Sequence, residues 1–252
     1  MEKPQSSVEK NKFALYGAGY QLSRLALWAM YEQHVEGMEN IQDIPGIFAM
    51  NHQKVEDTFL LAKEYTKATG KPMALVAQEG YFNGDGIRGK DGRRHLGKTV
   101  KLIVNSIGAI SADREGTMSG VRQLSEDVTA SIKEGVSVGV HPDATRSENG
   151  MVNKFYPLFT RLAYDLNVPI YPFGGHYSRG ASPLRSKHVD LKLGKPLMPE
   201  YMHSARFRLL PMNKRIEHFN NELEKRTALA ANLQQSGLFA PRSKNGTPAI
   251  ES

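Results

Sequence analysis

Helical patterns and short apolar runs alternate along this chain, and that alternation constrains its fold more than any other feature. The helical patterns cover residues 56–69, 117–134, 155–166 and 212–233, and the apolar runs cover residues 46–50, 73–77, 136–140, 168–173 and 188–193. Strands that alternate with helices pack into a mostly parallel sheet with helices on its faces. We therefore predict an α/β fold, a single domain with a mostly parallel central sheet flanked by helices.

The apolar run at 46–50 is followed directly by Asn51 and His52, and Asp57 comes five positions after the histidine. Open α/β sheets place their chemistry at the carboxyl ends of strands, where His52 would emerge. Glu56 and Asp57 open a helical pattern, and acidic groups suit the positive end of a helix dipole. A turn between strand and helix would let Asp57 fix the tautomer of His52 and make it a general base. The alternative for such a histidine is a satisfied structural group.

Three later segments have the same form, an apolar strand that ends in polar or turn residues. They are residues 107–114 (Ile-Gly-Ala-Ile-Ser-Ala-Asp-Arg), 141–147 (His-Pro-Asp-Ala-Thr-Arg-Ser) and 168–172 (Val-Pro-Ile-Tyr-Pro). Two of them place an arginine where the strand stops, Arg114 and Arg146. Taken by themselves, these arginines are best explained as surface or structural ion pairs with nearby acidic residues.

In this order and spacing, the four segments resemble the motifs of the glycerolipid acyltransferase family, which contains lysophosphatidic acid and glycerol-3-phosphate acyltransferases. The Asn-His-x-x-x-x-Asp block at 51–57 is similar to the first motif in every residue that matters. Residues 107–114 resemble the second motif, three hydrophobic residues between a Gly and Asp/Glu-Arg, although Ser111 and Ala112 are more polar and smaller than usual. Residues 168–172 resemble the fourth, Val-Pro-Ile-x-Pro. The resemblance covers about residues 40–195 and implies acyl transfer from a thioester to a hydroxyl.

The third segment resembles the family pattern Phe-Pro-Glu-Gly-Thr-Arg-Ser but departs from it in three places. His141 stands in place of Phe, Asp143 in place of Glu and Ala144 in place of Gly. A carboxylate on Asp reaches about 1 to 1.5 Å less far than one on Glu, and Ala restricts a turn that Gly would allow. Either the acceptor differs from glycerol phosphate or the loop has adjusted. For His141 we expect a partly buried position facing the core rather than a second titrating group in the cleft.

The resemblance implies a catalytic pair. His52 is implied as the general base and Asp57 as the carboxylate that orients it, as in the His–Asp half of a serine triad. The acceptor hydroxyl would attack directly, in agreement with a sequence that contains neither a cysteine nor a Gly-x-Ser-x-Gly elbow. No metal or cofactor is implied, because acyl-CoA or an acyl carrier protein brings the acyl group as co-substrate.

The resemblance also implies a substrate-binding set. Arg114 and Arg146 are implied to hold the phosphate of the acceptor, since a planar guanidinium binds phosphate oxygens bidentately. Asp143 and Thr145 complete the set, with Asp143 on a glycerol hydroxyl or against one of the two arginines. The implied acceptor is a lysophospholipid.

The chain carries a net charge of +7 and has a pI near 9.4, which indicates anionic partners. Its densest basic run lies at residues 88–95, in a glycine-rich loop that suits phospholipid headgroups, coenzyme A phosphates or an acidic carrier protein. A solvated loop is an equal alternative. The Gly-x-Gly-x-x-Gly at 84–89 is rejected as a dinucleotide site because no convincing helix starts at its third glycine. Nucleic acid is not expected as a partner, since aromatic residues are not interleaved with the charges.

Residues 13–31 form an apolar stretch in which Arg24 is the only charged residue. The stretch is just long enough to span a bilayer, but Arg24 near its middle would cost about 2.5–3.5 kcal/mol on insertion. Its three Tyr and one Trp suit the membrane interface. We therefore predict a membrane-attachment helix at 11–35, which makes the protein cytoplasmic and peripheral or monotopic at the inner face of a membrane. A helix packed on its own domain is the alternative.

Composition sets the remaining domain limits. Residues 1–10 and the Ser/Gly/Pro-rich tail at 236–252 are predicted to be disordered, which leaves 36–235 as the acyltransferase domain. The expected function is transfer of a fatty acyl group to a lysophospholipid hydroxyl, with lysophosphatidic acid as the default acceptor. One alternative is an acyltransferase for another lipid or metabolite hydroxyl or amine. The other, from a different class, is a catalytically silent lipid- or anion-binding protein of the same fold.

Overall fold

The computed structural model of the protein describes residues 16–54, 56–84, 87–88, 94–95, 97–113, 116–143, 146–147, 151–180 and 187–235. The strands in these residues are β1 (Tyr31–Glu36), β2 (Ile47–Met50), β3 (Met73–Gln78), β4 (Ile87–Arg88), β5 (Arg94–His95), β6 (Ile110–Ala112), β7 (Ser137–Val140), β8 (Ile170–Arg179) and β9 (Lys187–Leu193). The predicted disordered ends, 1–10 and 236–252, lie outside the described residues, as does most of the basic loop at 88–95.

Seven of these strands form one sheet in the order β1-β9-β8-β2-β7-β3-β6, and β4 pairs with β5 alone. Within the sheet, all described neighbours run parallel except β8 and β9, which are antiparallel. The prediction of a mostly parallel sheet flanked by helices is therefore confirmed. The antiparallel step follows from chain order, because only residues 180–186 separate β8 from β9, fewer than a crossover to a parallel strand needs.

The helices are α1 (Tyr16–Met30), α2 (Asp57–Thr69), α3 (Glu79–Asn83), α4 (Gly97–Ser106), α5 (Met118–Lys133), α6 (Leu158–Leu166), α7 (Ala205–Arg208) and α8 (Met212–Ala230), with 3₁₀ turns at Met38–Asn40 and Pro199–His203. Each predicted helical pattern contains one of them. The predicted helix at 155–166 begins later, at Leu158, because Pro157 occupies its N-cap.

Residues of β2 alternate between two hydrophobic cores, one on each face of the sheet. Ile47 and Ala49 join the core under α5, α6 and α8, while Phe48 and Met50 join the core under α1 and α2. All four residues are buried. A strand covered on both faces reads as a continuous apolar run, which explains why β2 stands out in the sequence.

The N-terminal helix is shorter than predicted at its carboxyl end. We expected helix through residue 35, but α1 ends at Met30 and the chain continues as β1. The segment Tyr31–Glu36 has the polar alternation of an edge strand, and it pairs in parallel with β9. No helix in the described part of the chain has the length and apolar character needed to cross a membrane.

At the end of the sheet where the carboxyl end of β2 lies, the neighbouring strands differ in length. Met50, the last residue of β2, pairs with Phe173, whereas β8 continues to Arg179. Lys187 of β9 pairs with Arg179 on one side and with Tyr31 of β1 on the other. The segments after β2 and β7 therefore lie beside a wall formed by the ends of β8, β9 and β1.

Candidate active site

His52 and Asp57 are brought into contact at this edge of the sheet. Nδ1 of His52, which directly follows β2, is 3.2 Å from Oδ2 of Asp57, the first residue of α2. An ionised carboxylate only accepts hydrogen bonds, so Nδ1 donates and Nε2 is left as the acceptor. The His52 side chain is 20% exposed, whereas that of Asp57 is 1% exposed. The pair thus has a buried orienting group and an imidazole that solvent or a substrate can reach.

Asp57 is held by four hydrogen bonds. Besides the contact with His52, Oδ2 accepts from the backbone N–H groups of Gln53 at 2.6 Å and Lys54 at 2.7 Å. Oδ1 accepts from the hydroxyl of Tyr177. Burial by itself would raise the pKa of Asp57, but the hydrogen bond from His52, the neighbouring imidazoles and the Lys54 N–H outweigh it and lower that pKa. The carboxylate therefore stays ionised at the site.

Tyr177 lies on the part of β8 that extends beyond β2. Burial and the adjacent charge of Asp57 raise the pKa of its hydroxyl, which therefore remains a donor. Its ring meets that of Tyr31 edge-on, with centroids 5.7 Å apart. The hydroxyl of Tyr31 donates in turn to Glu56 at 3.2 Å.

Asn51 fixes the start of the loop that carries His52. Its side chain accepts from the backbone N–H of Gly175 at 2.8 Å and donates to the Gly175 carbonyl at 3.0 Å. Two bonds to one residue of the neighbouring strand define the direction in which the chain leaves β2. A Cβ atom at the preceding Gly174 would lie 2.1 Å from the backbone N of Ala231, the residue that follows α8. The end of α8 therefore packs directly against this part of β8.

His141 stacks on His52, with ring centroids 4.2 Å apart and ring planes 22° apart. Its Nδ1 lies 3.0 Å from the Met50 carbonyl and must donate, so Nε2 accepts from the Thr58 hydroxyl at 2.9 Å. Burial and the charge of His52 lower the pKa of His141 to about 3. The neutral ring of His141 therefore packs behind the His52 imidazole, in agreement with the expected partly buried position.

Asp143 is buried, and its Oδ2 accepts from the backbone N–H of His52 at 3.1 Å. Burial raises the pKa of this carboxyl well above its ordinary value, although the bond from His52 opposes the shift. Its Oδ1 has no hydrogen-bond partner in the described structure. The contact that the structure provides thus holds the loop that carries His52. The role of Asp143 in acceptor binding stays a prediction.

The segment after β7 also contacts the loop that carries His52. The backbone N–H of Ser147 donates to the His52 carbonyl at 2.7 Å, and the adjacent Arg146 is exposed. Arg146 is therefore available to a ligand beside His52. The other two predicted substrate-binding residues, Arg114 and Thr145, lie outside the described residues.

Tyr177 is the site residue that the sequence does not reveal. It is 120 positions from Asp57, and no spacing rule connects the two. Residues 176–179 (His-Tyr-Ser-Arg) are all polar or amphipathic, so the sequence does not indicate that the strand predicted at 168–173 extends to Tyr177.

A protein-family model described as "Acyltransferase" matches residues 32–175 of the chain. The chloroplastic 1-acyl-sn-glycerol-3-phosphate acyltransferase of Arabidopsis thaliana is 23% identical over 150 residues, which are 59% of this chain and 37% of that protein. The 1-acyl-sn-glycerol-3-phosphate acyltransferase of Pseudomonas aeruginosa is 25% identical over 151 residues, 60% of this chain and 51% of that protein. The chain thus spans between about a third and about half of the length of these curated relatives.

The fold is similar to that of a solved relative. The crystal structure of a 1-acyl-sn-glycerophosphate acyltransferase from Thermotoga maritima matches with a TM-score of 0.54 and 21% identity, over 88% of this chain and 83% of that one. The family match covers more than half of the chain and includes both β2 with His52 and β7 with Asp143. The chain therefore belongs to the glycerolipid acyltransferase family.

Proposed function

We propose that this protein moves a fatty acyl group from a thioester donor to a hydroxyl of lysophosphatidic acid, giving phosphatidic acid. The observation that carries the proposal is the pairing of His52 with a fully hydrogen-bonded Asp57 at the sheet edge. This arrangement leaves Nε2 of His52 to accept the proton of an attacking hydroxyl. Family membership supports the same chemistry, and the curated relatives bear the name of this activity.

In the proposed reaction the acceptor oxygen attacks the thioester carbonyl carbon while Nε2 of His52 takes the hydroxyl proton. A C–O bond forms and the carbonyl becomes a tetrahedral oxyanion. Collapse of that intermediate breaks the C–S bond, and the leaving thiolate takes the proton from His52. The products are an ester and a free thiol, and the imidazole returns to its starting state. No enzyme nucleophile takes part, which suits a chain without cysteine.

We assign the acceptor phosphate to Arg146 and Arg114. Arg146 is exposed next to the residue that bonds to the His52 carbonyl, which places a cation near the attacking hydroxyl. A guanidinium there suits a phosphate one or two carbons away from that hydroxyl. Thr145 and Asp143 are assigned to the same region of the acceptor, Asp143 through the loop that it braces. The donor is acyl-CoA or an acyl carrier protein, with no further cofactor.

Helix α1 supports attachment to the inner face of a membrane. Tyr16 and Leu27 are buried against the domain, and the Tyr16 hydroxyl lies 2.9 Å from that of Thr66. Leu25 and Trp28 are each 59% exposed, and Arg24 is exposed beside them. One helix thus packs on its own domain and presents apolar side chains with a cation to the outside. An amphipathic helix of this kind lies in the interface of an anionic bilayer.

A second candidate has a specific observation in its favour. The buried Asp143 stands where the family pattern has a longer carboxylate, and it is engaged with the backbone of His52. An acceptor other than lysophosphatidic acid, with a different hydroxyl or an amine, would be compatible with that change. The silent lipid- or anion-binding alternative has less support, since both members of the catalytic pair are present and in contact.

Transfer assays with purified full-length protein test the proposal. Radiolabelled acyl-CoA or acyl carrier protein is incubated with lysophosphatidic acid, lysophosphatidylcholine, monoacylglycerol and a fatty amine in parallel. We expect product with lysophosphatidic acid at a higher kcat/KM than with the other acceptors. Preference for a different acceptor would establish the second candidate. Absence of product from every pair of substrates, with ligand binding retained, would establish the silent alternative.

A further inference from the structure

Two lysine ammonium groups converge on one aromatic ring beside the catalytic pair. Nζ of Lys54 lies 3.8 Å from the centroid of the Tyr177 ring and 5.7 Å from that of the Tyr31 ring. Nζ of Lys187 lies 5.4 Å from the centroid of the same Tyr31 ring. Each ring thus has an ammonium group over it, that of Lys54 over Tyr177 and that of Lys187 over Tyr31. Such contacts hold an ammonium in place while its N–H groups remain available to a further acceptor.

Neither ammonium forms an ion pair with a carboxylate of the described residues. Glu56 and Asp57, the acidic groups that act on Lys54, are engaged by the Tyr31 hydroxyl and by the catalytic network. Burial and the charge of Lys187 both lower the pKa of Lys54. Two like charges near each other, one of them partly buried, favour the arrival of an anion.

The lysines lie on a defined side of His52. Lys54 is two residues after His52, and its backbone N–H bonds to the same Asp57 oxygen that holds the imidazole. In the sheet, β8 adjoins β2 on one side and β7 adjoins it on the other. Arg146 follows β7, whereas Lys187 and the ring of Tyr177 belong to β9 and β8. Cations therefore flank the catalytic histidine on both sides.

We propose that Lys54 and Lys187 form an anion subsite that binds a phosphate group of a substrate. Its place across His52 from Arg146 assigns it to the acyl donor, whose pantetheine arm ends in a phosphate in both coenzyme A and a carrier protein. The assignment rests on the proposed function, because it needs two phosphate-bearing substrates that meet at His52. The phosphate of the acceptor is the other source of the same ligand chemistry.

Charge-removing variants of the full-length protein test the subsite. Lys54→Met and Lys187→Met, alone and together, remove the ammonium groups, and Lys54→Arg and Lys187→Arg keep the charge. Lys71→Met is the matched control, an exposed lysine paired with Asp43 just before β3, at the opposite edge of the sheet. The kinetic measurement is KM for acyl-CoA and for acyl-pantetheine, which lacks phosphate, and KM for lysophosphatidic acid and for neutral monoacylglycerol.

We expect the double Met variant to raise KM for acyl-CoA about tenfold and to leave KM for acyl-pantetheine unchanged. The Arg variants keep the charge and should therefore raise this KM less than the Met variants do, and Lys71→Met should behave as wild type. A rise in KM for lysophosphatidic acid alone, without one for monoacylglycerol, would keep the phosphate subsite but overturn its assignment to the donor. If, for each of the four substrates, the double Met variant had the same KM as wild type, the subsite itself would be overturned.

Calorimetric binding of free coenzyme A, compared with pantetheine, separates this proposal from the proposed function because it needs no turnover. A wild-type protein that transfers no acyl group but binds coenzyme A through the two lysines would retain the subsite and lose the proposed function. Coenzyme A binding that is equally strong in the double Met variant would overturn the donor assignment even if transfer activity is found.

Discussion

The hydroxyl of Tyr177 donates a hydrogen bond to Oδ1 of Asp57, from a strand 120 positions further along the chain. The other oxygen of Asp57 accepts from His52, Gln53 and Lys54, so the carboxylate is anchored on both oxygens. A carboxylate that cannot rotate keeps the imidazole in one orientation. Tyr177 is therefore a positioning residue that acts on His52 through Asp57.

Tyr177→Phe should lower kcat about tenfold, because a hydrogen bond to a charged group contributes about 1.5–3 kcal/mol and part of it is transmitted to the imidazole. KM for both substrates should stay near the wild-type value, because the hydroxyl acts on the imidazole through Asp57 and affects the chemical step. Initial rates over a range of substrate concentrations measure both constants.

Tyr164→Phe is the matched control, since that tyrosine lies on α6 and its ring packs near His203. It should leave kcat and KM as in wild type. A Tyr177→Phe protein in which KM rises together with the fall in kcat would show a general packing role instead of one exerted through Asp57.

His141 predicts a loss of stability in mild acid. Its pKa is about 3 in the folded protein and about 6.5 in an unfolded chain. The unfolded state therefore binds more protons between these values, and stability falls as the pH drops below about 6.5. The loss from this group should reach about 2 kcal/mol at pH 5.

Urea unfolding at pH 7 and pH 5 measures that contribution. His141→Phe introduces the Phe of the family pattern at this position. Between the two pH values, its free energy of unfolding should decrease by about 2 kcal/mol less than that of wild type. The exposed His203, changed to Phe in the same way, controls for the loss of one imidazole. The same decrease in wild type and His141→Phe would contradict the buried neutral ring.

Arg146→Ala should raise the KM for lysophosphatidic acid by roughly tenfold or more, because a charge-assisted bond to phosphate contributes about 1.5–3 kcal/mol. Arg146→Lys should recover only part of the loss, since the bidentate fork is absent. Monoacylglycerol, which has no phosphate, should show little change. Arg161→Ala, which removes an exposed arginine paired with Asp165, serves as control. An unchanged KM for lysophosphatidic acid in Arg146→Ala would show that this arginine has only a structural role. The same test applies to Arg114.

Leu25→Ser with Trp28→Ser should weaken co-sedimentation with anionic vesicles by roughly tenfold or more, because burying one large apolar side chain contributes about 1.5–3 kcal/mol. Binding of wild type should fall with added salt. Leu209→Ser with Leu229→Ser is the matched control, since both leucines are exposed elsewhere on the domain. Wild-type protein that stays in the supernatant at low salt would contradict membrane attachment.

The sheet and the contact between His52 and Asp57 are predictable because their signals are local. β2 is buried on both faces and reads as an apolar run, and His52 and Asp57 are separated by a single strand-to-helix turn. The end of α1 is less predictable, since Tyr31–Glu36 becomes a strand only by pairing with β9 more than 150 residues later.

The remaining features of the site depend on tertiary packing. Tyr177 reaches Asp57 only because β8 lies next to β2 and extends beyond it. The motif predicts a carboxyl group at position 143. The hydrogen bond of that carboxyl to the backbone of His52 depends on how the chain leaves β7, which the motif does not specify. The low pKa of His141 likewise comes from burial against His52, which residue identity does not express.

The turnover of His52→Ala tests the central claim most directly. The measurement is kcat for acyl transfer to lysophosphatidic acid by purified wild type and His52→Ala, with circular dichroism to establish that the variant is folded. We predict a loss of about 10²–10⁴-fold, the usual contribution of a general base, and a smaller or equal loss in Asp57→Asn. A folded His52→Ala protein that retains more than about half of wild-type turnover, far from the loss expected of a missing base, would contradict the account.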